Sequence, residues 1–145
     1  MQLYVKRLRP DAILPVRATE DSAGMDLFAC MDAPFEIQPG EIRIVPTGIA
    51  AAPDWPDVAL LVYARSGLAA KHGIALANGV GVVDSDYRGE IQVPLCNLGR
   101  APFQVTPGMR IAQLVITPVL LPSVTETDTL PDTPRGTGGF GSTGR

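Results

Sequence analysis

The sequence predicts an all-β fold, a barrel or a sandwich, within a single domain. Fourteen prolines and fifteen glycines interrupt short apolar stretches at close intervals, which is typical of brief strands joined by tight turns. The prolines and glycines are too closely spaced to allow long helices. With 145 residues, the chain has the usual size of one domain and is long enough to bury a substantial core.

Four stretches carry the strand signal: residues 42–46, 58–63, 91–97 and 111–116. The first and third alternate as half-buried strands do, and the third places Ile91, Val93 and Leu95 on one face. The second and fourth are apolar on both faces, which indicates strands covered on two sides. The one predicted helical turn is residues 67–71, with Ser66 as its N-cap.

After the last predicted strand, the composition changes to Ser, Thr, Asp, Glu and Pro with no periodicity. We therefore expect a barrel domain over residues 1–121 and a C-terminal arm over residues 122–145. The step from Leu121 to Arg135 spans roughly 46 Å when extended, whereas a globule of this length is about 38 Å across. The arm is thus long enough to reach a neighbouring subunit.

The end of the arm, residues 135–145, contains five glycines, three hydroxyl side chains, one phenylalanine and an arginine at each end. Such a strip exposes backbone N–H groups that can wrap an anion, and arginine and hydroxyl groups suit phosphate oxygens. In this interpretation Phe140 is a lid that covers the bound anion. A disordered terminus has the same composition, so the tail by itself does not decide between the two interpretations.

Composition also excludes several classes of protein. A net charge of −3 argues against general binding to DNA or RNA. No apolar run approaches 18 residues, and the first residues lack the apolar stretch of a signal peptide, so we expect a cytoplasmic protein without a membrane span. Two cysteines and a single histidine, His72, cannot form a four-ligand zinc site. Any hydrolysis should therefore use a carboxylate, a metal ion or both.

Residues 78–89, Asn-Gly-Val-Gly-Val-Val-Asp-Ser-Asp-Tyr-Arg-Gly, form the longest unusual motif and are predicted to be strand, turn, strand. The two early glycines would let a ligand approach the backbone, and the amide of Asn78 can read a nucleobase edge because it both donates and accepts. Asp84 ends the apolar run. In the alternative interpretation, Asp84, Ser85 and Asp86 are ordinary hairpin-turn residues and Tyr87 is a half-buried strand aromatic.

Three shorter signals suit phosphate chemistry. Arg65-Ser66-Gly67 combines a guanidinium, a hydroxyl and a small residue at a predicted helix N-terminus, where free N–H groups favour anions. Asp26 follows a glycine turn, and Gln113 is polar within an otherwise apolar strand. Each also has a structural interpretation: Asp26 as a turn cap, and Gln113 as the partner of a buried backbone group.

Five segments, in order, resemble the motifs of the trimeric dUTP pyrophosphatases: residues 22–27, 64–73, 78–89, 110–114 and 135–144. The resemblance covers essentially the whole chain. It implies a homotrimer of β-barrel, jelly-roll-like subunits, with active sites at subunit interfaces and a flexible arm that closes a neighbouring site. It also implies conversion of dUTP to dUMP and pyrophosphate with Mg²⁺, which limits uracil in DNA and supplies dUMP for thymidylate synthesis.

The resemblance further implies a role for each matching residue. Asp84 would deprotonate the water that attacks the α-phosphorus. Tyr87 would pack under deoxyribose and exclude a ribose 2′-hydroxyl, and Asp26 would steady the Mg²⁺ hydration shell without binding the ion directly. The remaining substrate-binding residues are Arg65, Ser66, Gly67 and Gln113 for the triphosphate, Asn78, Val82, Val83 and Gln92 for the nucleoside, and Arg135, Phe140, Gly141, Ser142 and Thr143 in the closing tail.

Two alternatives remain at this point. A dCTP deaminase shares the fold and the trimer, but it needs a glutamate where this sequence aligns Pro94. A catalytically silent nucleotide-binding trimer would have no need of the water-activating carboxylate expected of Asp84. Both alternatives are therefore disfavoured.

Overall fold

The computed structural model describes residues 1–139, and over that range the chain forms eleven strands and one short helix. The all-β prediction is therefore confirmed. The strands are β1 Leu3–Arg7, β2 Met25–Phe28, β3 Phe35–Ile37, β4 Ile42–Pro46, β5 Ile49–Pro53, β6 Val58–Ala64, β7 Ile74–Leu76, β8 Gly81–Asp84, β9 Gln92–Asn97, β10 Phe103–Val105 and β11 Arg110–Pro118; the helix is α1 Ser66–His72.

All pairings between these strands are antiparallel, and they form four sheets. The largest has the order β2–β11–β6–β8, and a three-stranded sheet has the order β4–β9–β7. The other two are the pairs β1–β5 and β3–β10. Because most partners are far apart in sequence, short strands from the whole domain enclose one core, as in a jelly-roll-like barrel.

The centre of that core is supplied by β6, β9 and β11. Leu60 and Leu114 are fully buried on adjacent strands of the large sheet, in agreement with the unbroken apolar runs of the sequence. Val93 and Leu95 are buried on β9, and Ile91, just before that strand, is 1% exposed. These three side chains share one face of the chain, as predicted.

Residues 42–46 form a strand, as predicted, and the structure shows which of its faces meets the core. Ile42 and Ile44 are 58% and 63% exposed, whereas Val45 is fully buried. Within residues 1–139, β4 pairs with β9 and forms one edge of its sheet. Its two isoleucines therefore project from the outer face.

Two local predictions need correction near the candidate motifs. The N-cap of α1 is Arg65, in extended conformation and with no side-chain cap bond, so Ser66 is the first helical residue and not the cap. The residues around Asp84 do not form a hairpin: β8 pairs with β6, and β9 lies between β4 and β7 in another sheet. The chain leaves one sheet at Asp84 and enters the other at Gln92.

Beyond the barrel, β11 ends at Pro118, slightly before the predicted limit at Leu121. Residues 119–133 contain neither strand nor helix, and a turn follows at residues 134–137. Leu120 and Val124 are more than nine-tenths exposed in the single chain. None of the helices described is long and apolar enough to cross a membrane.

Candidate active site

Most of the residues predicted for the site line two separate clefts. The first, of about 370 Å³, is called the arginine cleft and is defined by Ala18, Ser22, Ala23, Gly24, Asp26, Arg65, Ser66, Gly67, Arg110 and Gln113. The second, of about 240 Å³, is called the tyrosine cleft and is defined by Val82, Val83, Asp84, Tyr87, Glu90, Ile91 and Gln92.

In the arginine cleft, one carboxylate is held between two guanidinium groups. Arg65 Nε donates to Asp26 Oδ1 at 2.9 Å, and Arg110 Nη1 donates to Asp26 Oδ2 at 3.2 Å. The Asp26 side chain is only 13% exposed, so these ion pairs are partly shielded from solvent. Two arginines against one aspartate leave a net positive charge, and each guanidinium keeps further donors for an anion.

Gln113 and Gly24 shape the wall of the same cleft. Gln113 Nε2 donates to the carbonyl oxygen of Ala64 at 3.0 Å, so this side chain does satisfy a partly buried backbone group. Its Oε1 lies 2.6 Å from the position that a Cβ at residue 24 would take, so any other residue there would displace this amide. The bond to Ala64 fixes the end of β6, from which Arg65 and Ser66 enter the cleft.

In the tyrosine cleft, Asp84 is the last residue of β8 and its side chain is exposed. The backbone N–H of Tyr87 donates to the carbonyl oxygen of Asp84 at 3.1 Å, which closes a turn. The ring of Tyr87 packs over Gly89, where an added Cβ would lie 2.3 Å from the tyrosine hydroxyl. Val82 is 65% exposed beside them. The carboxylate of Asp84, the ring of Tyr87 and the apolar side chain of Val82 thus line the same cleft.

The remaining predicted residues lie outside both clefts. Asn78 is exposed in the turn before β8, at the opposite end of that strand from Asp84. Next to it, Gly79 has a φ of 72° and open space around it, as expected where a ligand approaches the backbone. Arg135 is exposed, and its Nε donates to the carbonyl oxygen of Gly138. Phe140, Gly141, Ser142 and Thr143 lie outside the described residues.

Within one chain the two clefts remain apart, and no described residue lines both. Asp84 lies opposite Ala59 near the start of β6, whereas Arg65 follows the end of that strand. At roughly 3.3 Å per residue, about 20 Å of strand separates the position of Asp84 from that of Arg65.

The acidic groups of the clefts fit a magnesium ion only through its waters. Among residues 1–139, no three His, Cys, Asp or Glu side chains are grouped to bind a metal. Mg²⁺ keeps several waters when it binds through substrate phosphates, and Asp26 retains acceptor capacity beyond its two ion pairs.

Sequence reasoning missed two charged residues of the clefts. Arg110 opens the fourth motif but had no assigned role, although it is the second partner of Asp26. Glu90, directly after the third motif, lines the tyrosine cleft. The available signal in both cases was a charged residue at the edge of a motif.

Comparisons with known proteins show the family of the chain. A family model described as dUTPase matches residues 10–144. The deoxyuridine 5′-triphosphate nucleotidohydrolase of Burkholderia cenocepacia is 51% identical over 145 residues, which cover 100% of this chain and 98% of that protein. The dUTPase of Staphylococcus bacteriophage 80alpha, solved with dUpNHpp, has a TM-score of 0.88 at 25% identity and 99% coverage of both chains. A variant of the dUTPase from phage phi11 of S. aureus, solved with a structural Mg(II) ion, has a TM-score of 0.79 at 22% identity, with 89% of this chain and 98% of that chain covered.

Proposed function

The chain belongs to the dUTPase family, and we propose that it hydrolyses dUTP to dUMP and pyrophosphate where the tyrosine cleft of one copy meets the arginine cleft of another. The separation of the two clefts carries this proposal. The α-phosphorus and the γ-phosphorus of a nucleotide are only two anhydride links apart. About 20 Å of strand between Asp84 and Arg65 is too long for one triphosphate to bridge within a single chain.

A closed homotrimer provides such a meeting point three times. A repeated contact between unlike surfaces closes into a ring when its rotation allows, and the resemblance to the trimeric family implies a threefold ring. The exposed apolar side chains of the arm, including Leu120 and Val124, support a position against another copy. In this arrangement the tail beyond Arg135 closes a site that other copies have formed.

In the proposed reaction, Asp84 accepts a proton from the water that attacks the α-phosphorus. Its position at the exposed end of β8 gives a water access to the carboxylate. The attack breaks the bond between the α-phosphorus and the bridging oxygen, and pyrophosphate departs. No covalent intermediate with the protein is formed. When bound to the triphosphate, Mg²⁺ would neutralise phosphate charge that otherwise repels the nucleophile.

The arginine cleft binds the leaving phosphates in this proposal. The guanidinium of Arg65 and the hydroxyl of Ser66 donate to phosphate oxygens, while Gln113 holds the end of β6 in place. Asp26 orients Arg65 and Arg110. It would also accept hydrogen bonds from water bound to a Mg²⁺ ion on the triphosphate. The cleft therefore stabilises negative charge that grows on the departing pyrophosphate.

The tyrosine cleft and the turn before β8 select the nucleoside. Tyr87 packs against deoxyribose and leaves no room for a 2′-hydroxyl. Val82 and Val83 in the tyrosine cleft, and Asn78 in the turn before β8, line the uracil side. In the closing tail, Phe140 stacks on the base, and Arg135 and Ser142 bind the γ-phosphate. Such an enzyme would keep cytoplasmic dUTP low and supply dUMP for thymidylate synthesis.

The test incubates the protein with Mg²⁺ and dUTP, dCTP, dTTP or UTP separately, and measures pyrophosphate and ammonia. We expect pyrophosphate from dUTP and far less from the other three. Asp84→Asn should lower turnover by orders of magnitude while dUTP still binds, and the matched control Asp86→Asn should remain active. Ammonia from dCTP, or normal turnover in Asp84→Asn, would contradict the proposal.

A further inference from the structure

The carboxylate of Glu90 joins the tyrosine cleft to the barrel. Glu90 Oε1 accepts a hydrogen bond from the backbone N–H of Gly48 at 2.7 Å, and Glu90 Oε2 accepts one from Gln92 Nε2 at 3.2 Å. Gly48 is buried, so its N–H depends on this one side chain. The turn that carries it is closely packed and needs glycine, because Gly48 has a φ of 69° and an added Cβ would lie 2.6 Å from Cys30 Sγ.

The backbone beside Glu90 is fixed to the same turn. The N–H of Ile91 donates to the carbonyl oxygen of Ile49 at 2.9 Å, and Thr47 Oγ1 donates to the carbonyl oxygen of Ile91 at 2.5 Å. In a planar trans peptide, the C=O and the N–H point to opposite sides. Since the N–H of Ile91 points to the barrel, the carbonyl of Glu90 points away from the barrel. There the carbonyl oxygen accepts a hydrogen bond from the hydroxyl of Tyr87 at 3.1 Å.

From this chain of contacts we infer that Glu90 is a positioning residue, which holds Tyr87 against the sugar and so sets the preference for deoxyribose over ribose. The inference rests on the proposed hydrolysis of dUTP. Tyr87 is 46% exposed, so its ring can swing into solvent when the turn at Gly48 shifts and, through the bond from Ile91 to Ile49, carries the Glu90 carbonyl away from the hydroxyl. A ring that can move no longer excludes a 2′-hydroxyl, because steric exclusion requires a side chain that is held in place.

The readout is the ratio of kcat/KM for dUTP to kcat/KM for UTP. A variant that is merely less stable loses both activities in proportion, since its folded fraction acts on both substrates, and the ratio stays constant. Glu90→Ala removes the acceptor for Gly48, and we expect the ratio to fall about tenfold. Glu90→Gln keeps an acceptor oxygen at the same reach and should stay near the wild-type ratio. The exposed Glu36→Ala on β3 is the control for loss of a surface carboxylate.

A double-mutant cycle tests whether Glu90 acts through Tyr87. Tyr87→Phe removes the hydroxyl that donates a hydrogen bond to the Glu90 carbonyl. In a protein that already carries Tyr87→Phe, adding Glu90→Ala should therefore change the ratio little further. If Glu90→Ala does not fold by circular dichroism, Glu90→Asp takes its place, because its shorter side chain withdraws from Gly48. A wild-type ratio in the folded variant, an equal fall in Glu90→Gln, or full additivity with Tyr87→Phe would overturn the inference. Wild-type protein without dUTP hydrolysis would instead overturn the proposed function, and the inference with it.

Discussion

Mixing two inactive variants offers a direct test of a site shared between copies. Asp84→Asn disables the tyrosine cleft and leaves the arginine cleft intact, whereas Arg65→Ala does the reverse. If one chain supplies the first cleft and another the second, equal amounts of the two variants should restore activity after random reassembly. Half of the chains carry each intact cleft, so about one quarter of the sites combine both.

The assay denatures the two variants together, refolds them at a one-to-one ratio and measures pyrophosphate release from dUTP. We expect about a quarter of the activity of wild-type protein refolded in the same way. Each variant refolded alone is the control and should remain inactive. Activity that stays at the level of these controls, with mixed oligomers verified by mass spectrometry, would refute the separation argued from the register of Ala59 with Asp84.

Three other measurements test the arm, the core and a buried thiol. A chain that ends at Pro134 should keep its assembly by light scattering but lose nearly all dUTP hydrolysis; a full rate, or dissociation, would contradict the closing role of the tail. Leu114→Ala should cost about 2–5 kcal/mol in urea unfolding because the side chain is fully buried, whereas exposed Leu98→Ala should cost little. Burial raises the pKa of the Cys30 thiol above its usual range, so the native state keeps its proton at a pH where the unfolded chain has lost it. The free energy of unfolding should therefore fall as the pH rises above about 8.5, the ordinary pKa of a thiol, and less so in Cys30→Ala; an identical fall in both proteins would contradict this reasoning.

The core strands could be predicted from the sequence because their signal is local. An unbroken apolar run such as residues 58–63 needs cover on both faces, and every side chain of β6 is buried or half-buried, on whichever face it lies. The alternation of residues 42–46 predicted a strand but not its orientation. A period of two places Ile42 and Ile44 on one face, yet it does not say which face meets the core.

The site was harder to predict because it depends on pairings between distant segments. The turn after Asp84 resembled a hairpin, but β8 and β9 find their partners in different sheets. Residue types identified Asp84, Arg65 and Tyr87 as candidates, and the structure places each of them in a cleft. That these candidates fall into two clefts at different ends of β6 follows from strand register, which residue types do not encode.

The contact between Gly24 and Gln113 constrains how this protein can vary. Even a methyl group at position 24 would meet the amide oxygen, and a displaced amide would release the carbonyl of Ala64 just before Arg65. Two motifs that are distant along the chain therefore behave as one unit in mutagenesis. A library that varies both positions together should therefore return pairs that a library at position 24 alone does not, because a shorter side chain at position 113 leaves room for a Cβ at position 24.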